Sequence, residues 1–237
     1  MRLIKRFFTF ILLVVFTITG LIVASGWGKY KQALTELPLE TAVDNIRKQD
    51  NFTEFSDISL TFVNAMVAVE DKRFYKHKGV DVIGIARAFK NNISKKELSE
   101  GGSCITQQLA KNLYFINDNT LTRKVAEIFM ALNIERNYSK KEILELYFNV
   151  IYYGSGYYNI AEASKGYFNK TPITLSDYEA TLLAGIPNAP SVYSLNNNPD
   201  LAKKRQKTVI EAMKNMKYIT EEEAAVILSQ QKKTETN

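Results

Sequence analysis

The 237-residue sequence predicts a mostly α-helical domain behind one N-terminal membrane-spanning helix. Three observations carry that expectation. The stretch "FFTFILLVVFTITGLIVASGW", from Phe7 to Trp27, holds no charge, and as a helix it would span about 30 Å, the thickness of a bilayer's hydrocarbon core. Downstream, apolar residues recur at helical spacing behind capping signatures. Runs of alternating β-branched residues, the mark of strands, are absent.

Taken in order, residues 1–6 carry Arg2, Lys5 and Arg6 and read as a short basic segment that stays in the cytoplasm. Residues 7–27 then form the anchor and place the rest of the chain outside. A cleaved signal peptide is the competing reading, because "VAS" before Gly26 resembles a cleavage site. Signal-peptide cores run to about 7–15 residues, and this stretch is longer, which favours an uncleaved anchor. Lys29 and Lys31 on the far side weaken the charge asymmetry. Residues 28–58 are polar and aperiodic and read as a stalk. A helical domain follows over 59–228, and "SQQKKTETN" (229–237) is a polar tail.

Within the domain, Asp81 can cap "VIGIARAFKNNI", whose apolar face is Val82, Ile85, Ala86 and Phe89. Ser139 with Glu142, and Thr220 with Glu223, form capping-box patterns before "ILELYFNV" and "AAVIL". "LTRKVAEIFMALNIE" places Leu121, Val125, Ile128, Phe129 and Leu132 on one helical face. Between these, "SKKELSEGGSC" (94–104) is charged, then Gly-rich and without hydrophobic period, so it reads as a mobile loop feeding a helix that begins near Ser103.

A hydrophobic content of 46% suits a folded core, and the net charge of +6 invites a nucleic-acid reading. That reading fails on division. Five of the 31 Lys/Arg lie in residues 1–31, which hold no Asp/Glu, leaving 26 against 25 and a net of +1 for the domain. So even a balance offers no generic basic face for a polyanion. Cys104 is the only cysteine, so no intramolecular disulfide can form, and with His77 the only histidine a Cys/His metal cage is excluded.

Five segments hold polar residues that a plain helix does not need. In "AVEDKRFYKHKGVD" (68–81), an apolar run ends in Glu70 and Asp71. A carboxylate emerging from apolar surroundings has a raised pKa and can take a proton near neutral pH; the plainer reading is a helix end paired with Lys72 or Arg73. In "GGSCITQQLAKN" (101–112), Gln107, Gln108, Lys111 and Asn112 crowd two turns, suiting a sugar-rich or phosphate-bearing ligand, or a solvated face. Arg123 and Glu127 are spaced for an intrahelical ion pair, and Arg123 with Lys124 could instead clamp a phosphate at the helix mouth. The aromatics of "KKEILELYFNVIYYGSG" (140–156) read as core, and "KKRQKTVIEAM" (203–213) as a basic amphipathic helix near the domain's end.

Each segment alone favours the plain reading; their order does not. "EDKRFYKHKG", "GGSCITQQLAKN", "RKVAEIFMALNIE", "KKEILELYFN" and "KKRQKTVIEAM" in succession resemble the motif series of the peptidoglycan glycosyltransferases, glycosyltransferase family 51, over residues 55–215. "LAGIPNAPSVYSLNNNP" also resembles that family's stretch before its last motif. With no second large domain in view, the resemblance is to the monofunctional, membrane-anchored form without a penicillin-binding transpeptidase. It implies a lysozyme-like helical fold with a small flexible membrane-proximal lobe, near residues 94–104. Two departures stand out: Cys104 where the family usually has Thr, and Asn159 where it usually has Gly.

The resemblance further implies polymerisation of lipid II into β-1,4-linked glycan strands at the outer face of the cytoplasmic membrane, with undecaprenyl diphosphate leaving. Glu70 would deprotonate the acceptor 4-hydroxyl, and Lys111, Arg123 and Lys124 would meet the diphosphate charge. Glu127 matches the family's second carboxylate and leaves room for a divalent cation, Mg²⁺ or Mn²⁺. Ser103, Gln107, Gln108 and Asn112 complete the substrate contacts, and His77 reads as structural. The implied partners are lipid II, the growing strand, the membrane and other cell-wall synthesis proteins, with no nucleic acid. A lysozyme-like glycan-cleaving enzyme and a non-catalytic anchored scaffold remain as alternatives. The basic residues weigh against the first, which has no diphosphate to neutralise, and the two carboxylates against the second.

Overall fold

In the computed structural model the described residues are 2–95, 102–116 and 118–234, without the side chains of Leu3, Phe89, 91–95 and 231–234. All regular structure among them is helical. Helix α1 (Arg2–Glu36) runs unbroken through the apolar stretch and beyond it, and is long and apolar enough to cross a membrane. The sequence's α class and its single apolar N-terminal helix are both observed.

The stalk expected over 28–58 is not what forms there. Leu39, Ala42, Val43 and Ile46 recur at helical spacing, and α2 (Leu39–Arg47) buries all four against the domain. Buried Asn149 then pins the following turn, accepting from the Thr53 amide at 2.9 Å and donating to the Thr53 carbonyl at 2.8 Å. The domain therefore begins near residue 38. The amphipathic run is only nine residues long, too short to stand out from a polar neighbourhood.

Helix α3 (Leu60–Glu70) is the central element, with Phe62, Val63, Ala65, Met66, Val67 and Ala68 all buried. An apolar surface on every side marks a helix enclosed by others rather than one lying on a core. Helix α4 (Val82–Lys95) starts where Asp81 accepts the Gly84 amide, as its cap position predicts. Of its expected core face Val82 and Ile85 are exposed, and the side chain of Phe89 lies outside the described residues; Ala88 is covered. The loop expected at 94–104 lies mainly outside the described residues.

Next come α5 (Ile105–Tyr114), α6 (Leu121–Asn137) and α7 (Lys140–Val150), with the Ser139–Glu142 capping box in place. Helix α6 has two packing faces. Ala126, Met130 and Ile134 enter the core, whereas Val125 and Phe129, from the stripe the sequence assigned to the core, meet α1. Leu121, from the same stripe, is exposed. Helix α8 (Ile160–Phe168) is capped by Asn159, whose side chain accepts the Glu162 amide at 2.8 Å. That bond explains an Asn here: its backbone is extended, so no glycine is required, and an amide side chain adds a cap.

Helices α9 (Asp177–Gly185), α10 (Pro190–Tyr193) and α11 (Pro199–Asn215) follow. Instead of lying at the surface near the domain's end, α11 packs on both α3 and α9, burying Gln206, Val209, Ile210 and Met213. Helix α12 (Glu221–Thr234) continues into the expected polar tail, and Thr220 and Glu223 exchange their capping bonds as predicted. Two groups of helices result, α3 with α9 and α11, and α5 with α6 and α7.

Candidate active site

A cleft of about 1220 Å³ is lined from both groups. Glu70 reaches it from the end of α3, Gln107, Gln108, Lys111 and Asn112 from α5, and Arg123, Lys124 and Glu127 from α6. Ser103 lies at its edge beside α5, so every site residue expected from the sequence lines this one space.

The two adjacent carboxylates part company here. Asp71 accepts from the Ile105 amide at 3.1 Å and stands 2.9 Å from His77 Nε2, so it caps α5 and holds the buried histidine. Glu70 Oε2 accepts from Gln108 Nε2 at 2.9 Å, while its Oε1 is shielded from solvent and has no partner among the described residues. Burial pushes the Glu70 carboxyl above its usual range. The Gln108 bond and the Arg205 charge pull the other way, and the Asp71 charge adds to the rise. A carboxylate with one lone-pair face unclaimed and a raised pKa has the properties of a general base.

Across the cleft, Glu127 is 1% exposed and accepts from Arg123 Nη1 at 2.7 Å and Lys124 Nζ at 2.8 Å. The intrahelical ion pair that the spacing predicted is present, and it also holds two cations side by side. Lys124 Nζ donates in addition to Ser103 Oγ at 2.6 Å. Lys111 is exposed to the cleft, and no carboxylate among the described residues pairs with it. With both oxygens of Glu127 engaged by cations, the donor set there does not fit a divalent ion. Among the described residues the group with metal-ligand types is Asp71, His77 and Cys104, not one that includes Glu127.

Cys104 sits at the N-cap position of α5 and makes no capping bond; its thiol donates to the Gly79 carbonyl at 3.1 Å. Burial pushes that thiol up to about 12, so it stays neutral. Arg205 and Tyr147 are among the cleft residues that escaped the sequence reading. Arg205 arrives on α11, from a segment read as a surface helix. Tyr147 was read as core, and it is fully buried, but its hydroxyl donates to Gln108 Oε1 at 2.8 Å.

Residues 38–214 match the sequence profile of the family described as Transglycosylase. The chain belongs to the transglycosylase family. Glycosyl transfer is accordingly the class of its chemistry. Similar curated proteins include penicillin-binding protein 1A of Neisseria gonorrhoeae, 48% identical over 169 residues, which are 71% of this chain and 21% of that one. Penicillin-binding protein 1F of Bacillus subtilis is 47% identical over 160 residues, 68% of this chain and 22% of the other. The chain thus spans about a fifth of the length of these relatives. Among solved structures, penicillin-binding protein 1A from Haemophilus influenzae aligns at a TM-score of 0.45 and 21% identity, over 75% of this chain and 17% of that one. A likeness at that level adds nothing to the family assignment.

Proposed function

We propose that the cleft polymerises lipid II into β-1,4-linked glycan strands for peptidoglycan, releasing undecaprenyl diphosphate. The observation that carries this reading is a single cleft with an unpartnered carboxylate oxygen on one helix and paired cations on another. A sugar 4-hydroxyl is a poor nucleophile, and a positioned base typically contributes about 10²–10⁴-fold. Glu70 takes that proton as the hydroxyl oxygen forms its bond to the donor's anomeric carbon. The bond from that carbon to the diphosphate oxygen breaks, and its electron pair leaves with the diphosphate. Attack opposite the leaving group turns an α-linked donor into a β-linked product.

Lys111, Arg123 and Lys124 meet the growing charge on the leaving group. Glu127 orders two of these cations, and its burial makes the arrangement rigid. Gln108 holds Glu70, while Gln107, Asn112 and Ser103 stand where sugar or phosphate oxygens would lie. Helix α1 anchors the domain in the cytoplasmic membrane with the cleft on the outer side, so a lipid-borne substrate is met at high effective concentration. The exposed apolar side of α4 suits the same lipid surface.

A glycan-cleaving reading would also use a carboxyl with a raised pKa, as an acid. The paired cations at Arg123 and Lys124 have no charge to neutralise in that chemistry, which favours transfer. The full chain in detergent, supplied with lipid II, should yield polymer that a muramidase digests. Absence of polymer together with cleavage of preformed strands would overturn the proposal in favour of hydrolysis.

A further inference from the structure

Tyr147 is fully buried on α7 and touches no solvent, yet it carries a hydroxyl. A buried hydroxyl needs a partner, and this one donates to Gln108 Oε1 at 2.8 Å. The other end of the same amide donates to Glu70 Oε2 at 2.9 Å. Three side chains from α7, α5 and α3 thereby form one line that ends at the proposed base.

The direction of the amide decides what Glu70 meets. As arranged, the NH₂ faces the carboxylate and the carbonyl faces the phenol, so each donor finds an acceptor. Turned over, the amide would aim its carbonyl at the carboxylate and leave the tyrosine's proton without an acceptor in a dry site. Tyr147 stays protonated over any working pH, because burial drives its phenol well above the ordinary value, with the Glu70 charge adding to the rise. It is therefore a permanent donor. The other charged groups acting on Glu70 are Arg205 from α11 and Asp71 beside it.

We infer that Tyr147 is a positioning residue for glycosyl transfer: its hydroxyl fixes the Gln108 amide so that the NH₂ holds one Glu70 oxygen and leaves the other free to accept the proton. This rests on the reading of Glu70 as the base. Phe at 147 would keep the ring and the packing and lose only the donor.

The test is a double-mutant cycle on the full chain, with polymerisation of lipid II followed across pH. Tyr147→Phe should lower kcat by about 3- to 10-fold with KM within about twofold. The Gln108 bond holds the Glu70 carboxyl down, so weakening it should move the acid limb of the kcat profile to higher pH. In a Gln108→Leu background, Tyr147→Phe should cost nothing further. A loss equal at every pH and additive with Gln108→Leu would reduce Tyr147 to a packing residue. Parental kcat and an unmoved acid limb in Tyr147→Phe would also overturn the inference. Glu70→Gln is assayed alongside. If it is inactive while Tyr147→Phe is parental, only the positioning role falls; if Glu70→Gln keeps parental turnover, both readings fall.

Discussion

Asp71 gives its lone pairs to Ile105, Arg73 and His77, and Glu70, the residue before it, keeps an oxygen unclaimed. On the proposed reading, chemistry and scaffolding are divided between neighbours by the direction in which the chain leaves α3. The motif residues were legible through the order of their segments, since each segment alone favoured the plain reading. Tyr147 and Arg205 were not, since a tyrosine among apolar residues reads as core and an arginine among lysines reads as solvated surface. Only the fold shows where a hydroxyl or guanidinium points. Cys104 is a further residue-scale case. Its thiol is buried and donates to the Gly79 carbonyl, so it acts as a small packing group. Cys104→Thr should therefore leave the polymerisation rate within about threefold, whereas a gain above about tenfold, roughly 1.4 kcal/mol, would show that a hydroxyl contact had been given up.

At the scale of elements, α6 joins the anchor to the site. Its inner turn carries Arg123, Lys124 and Glu127, and its outer face receives α1, where Trp27 and Tyr30 stack around Phe129. Lys29 pairs with Asp118 and donates to Thr120, the α6 cap, at 3.1 Å. Helix period alone found the apolar stripe of α6 but could not say which neighbour covers it, nor that Val82 and Ile85 on α4 are exposed among the described residues. The backbones come close at Gly26, where an added Cβ would lie 2.5 Å from Val125 Cβ and 3.0 Å from the Thr122 carbonyl. Gly28, one turn-half away, has open space. Gly26→Ala should lower the thermal midpoint in detergent, because overpacking costs about 1–3 kcal/mol against a gain in helix propensity of about 0.5–1 kcal/mol. Gly28→Ala should hold or raise it. Equal effects at the two positions would mean that α1 does not seat on α6 as described.

For the whole molecule, a domain that is almost neutral gathers Lys111, Arg123, Lys124 and Arg205 around one cleft. Net charge concealed that concentration, and motif order revealed most of it. In the proposed reaction the two helix groups would supply its two halves, a proton acceptor from α3 and charge stabilisation from α5 and α6. The most direct test is the initial rate of polymer formation from lipid II by Glu70→Gln beside the parent chain at neutral pH, both confirmed folded by melting. The predicted result is a fall of about 10²-fold or more with the lipid II affinity retained. A rate within about threefold of the parent would contradict the account, because proton removal would then not depend on Glu70.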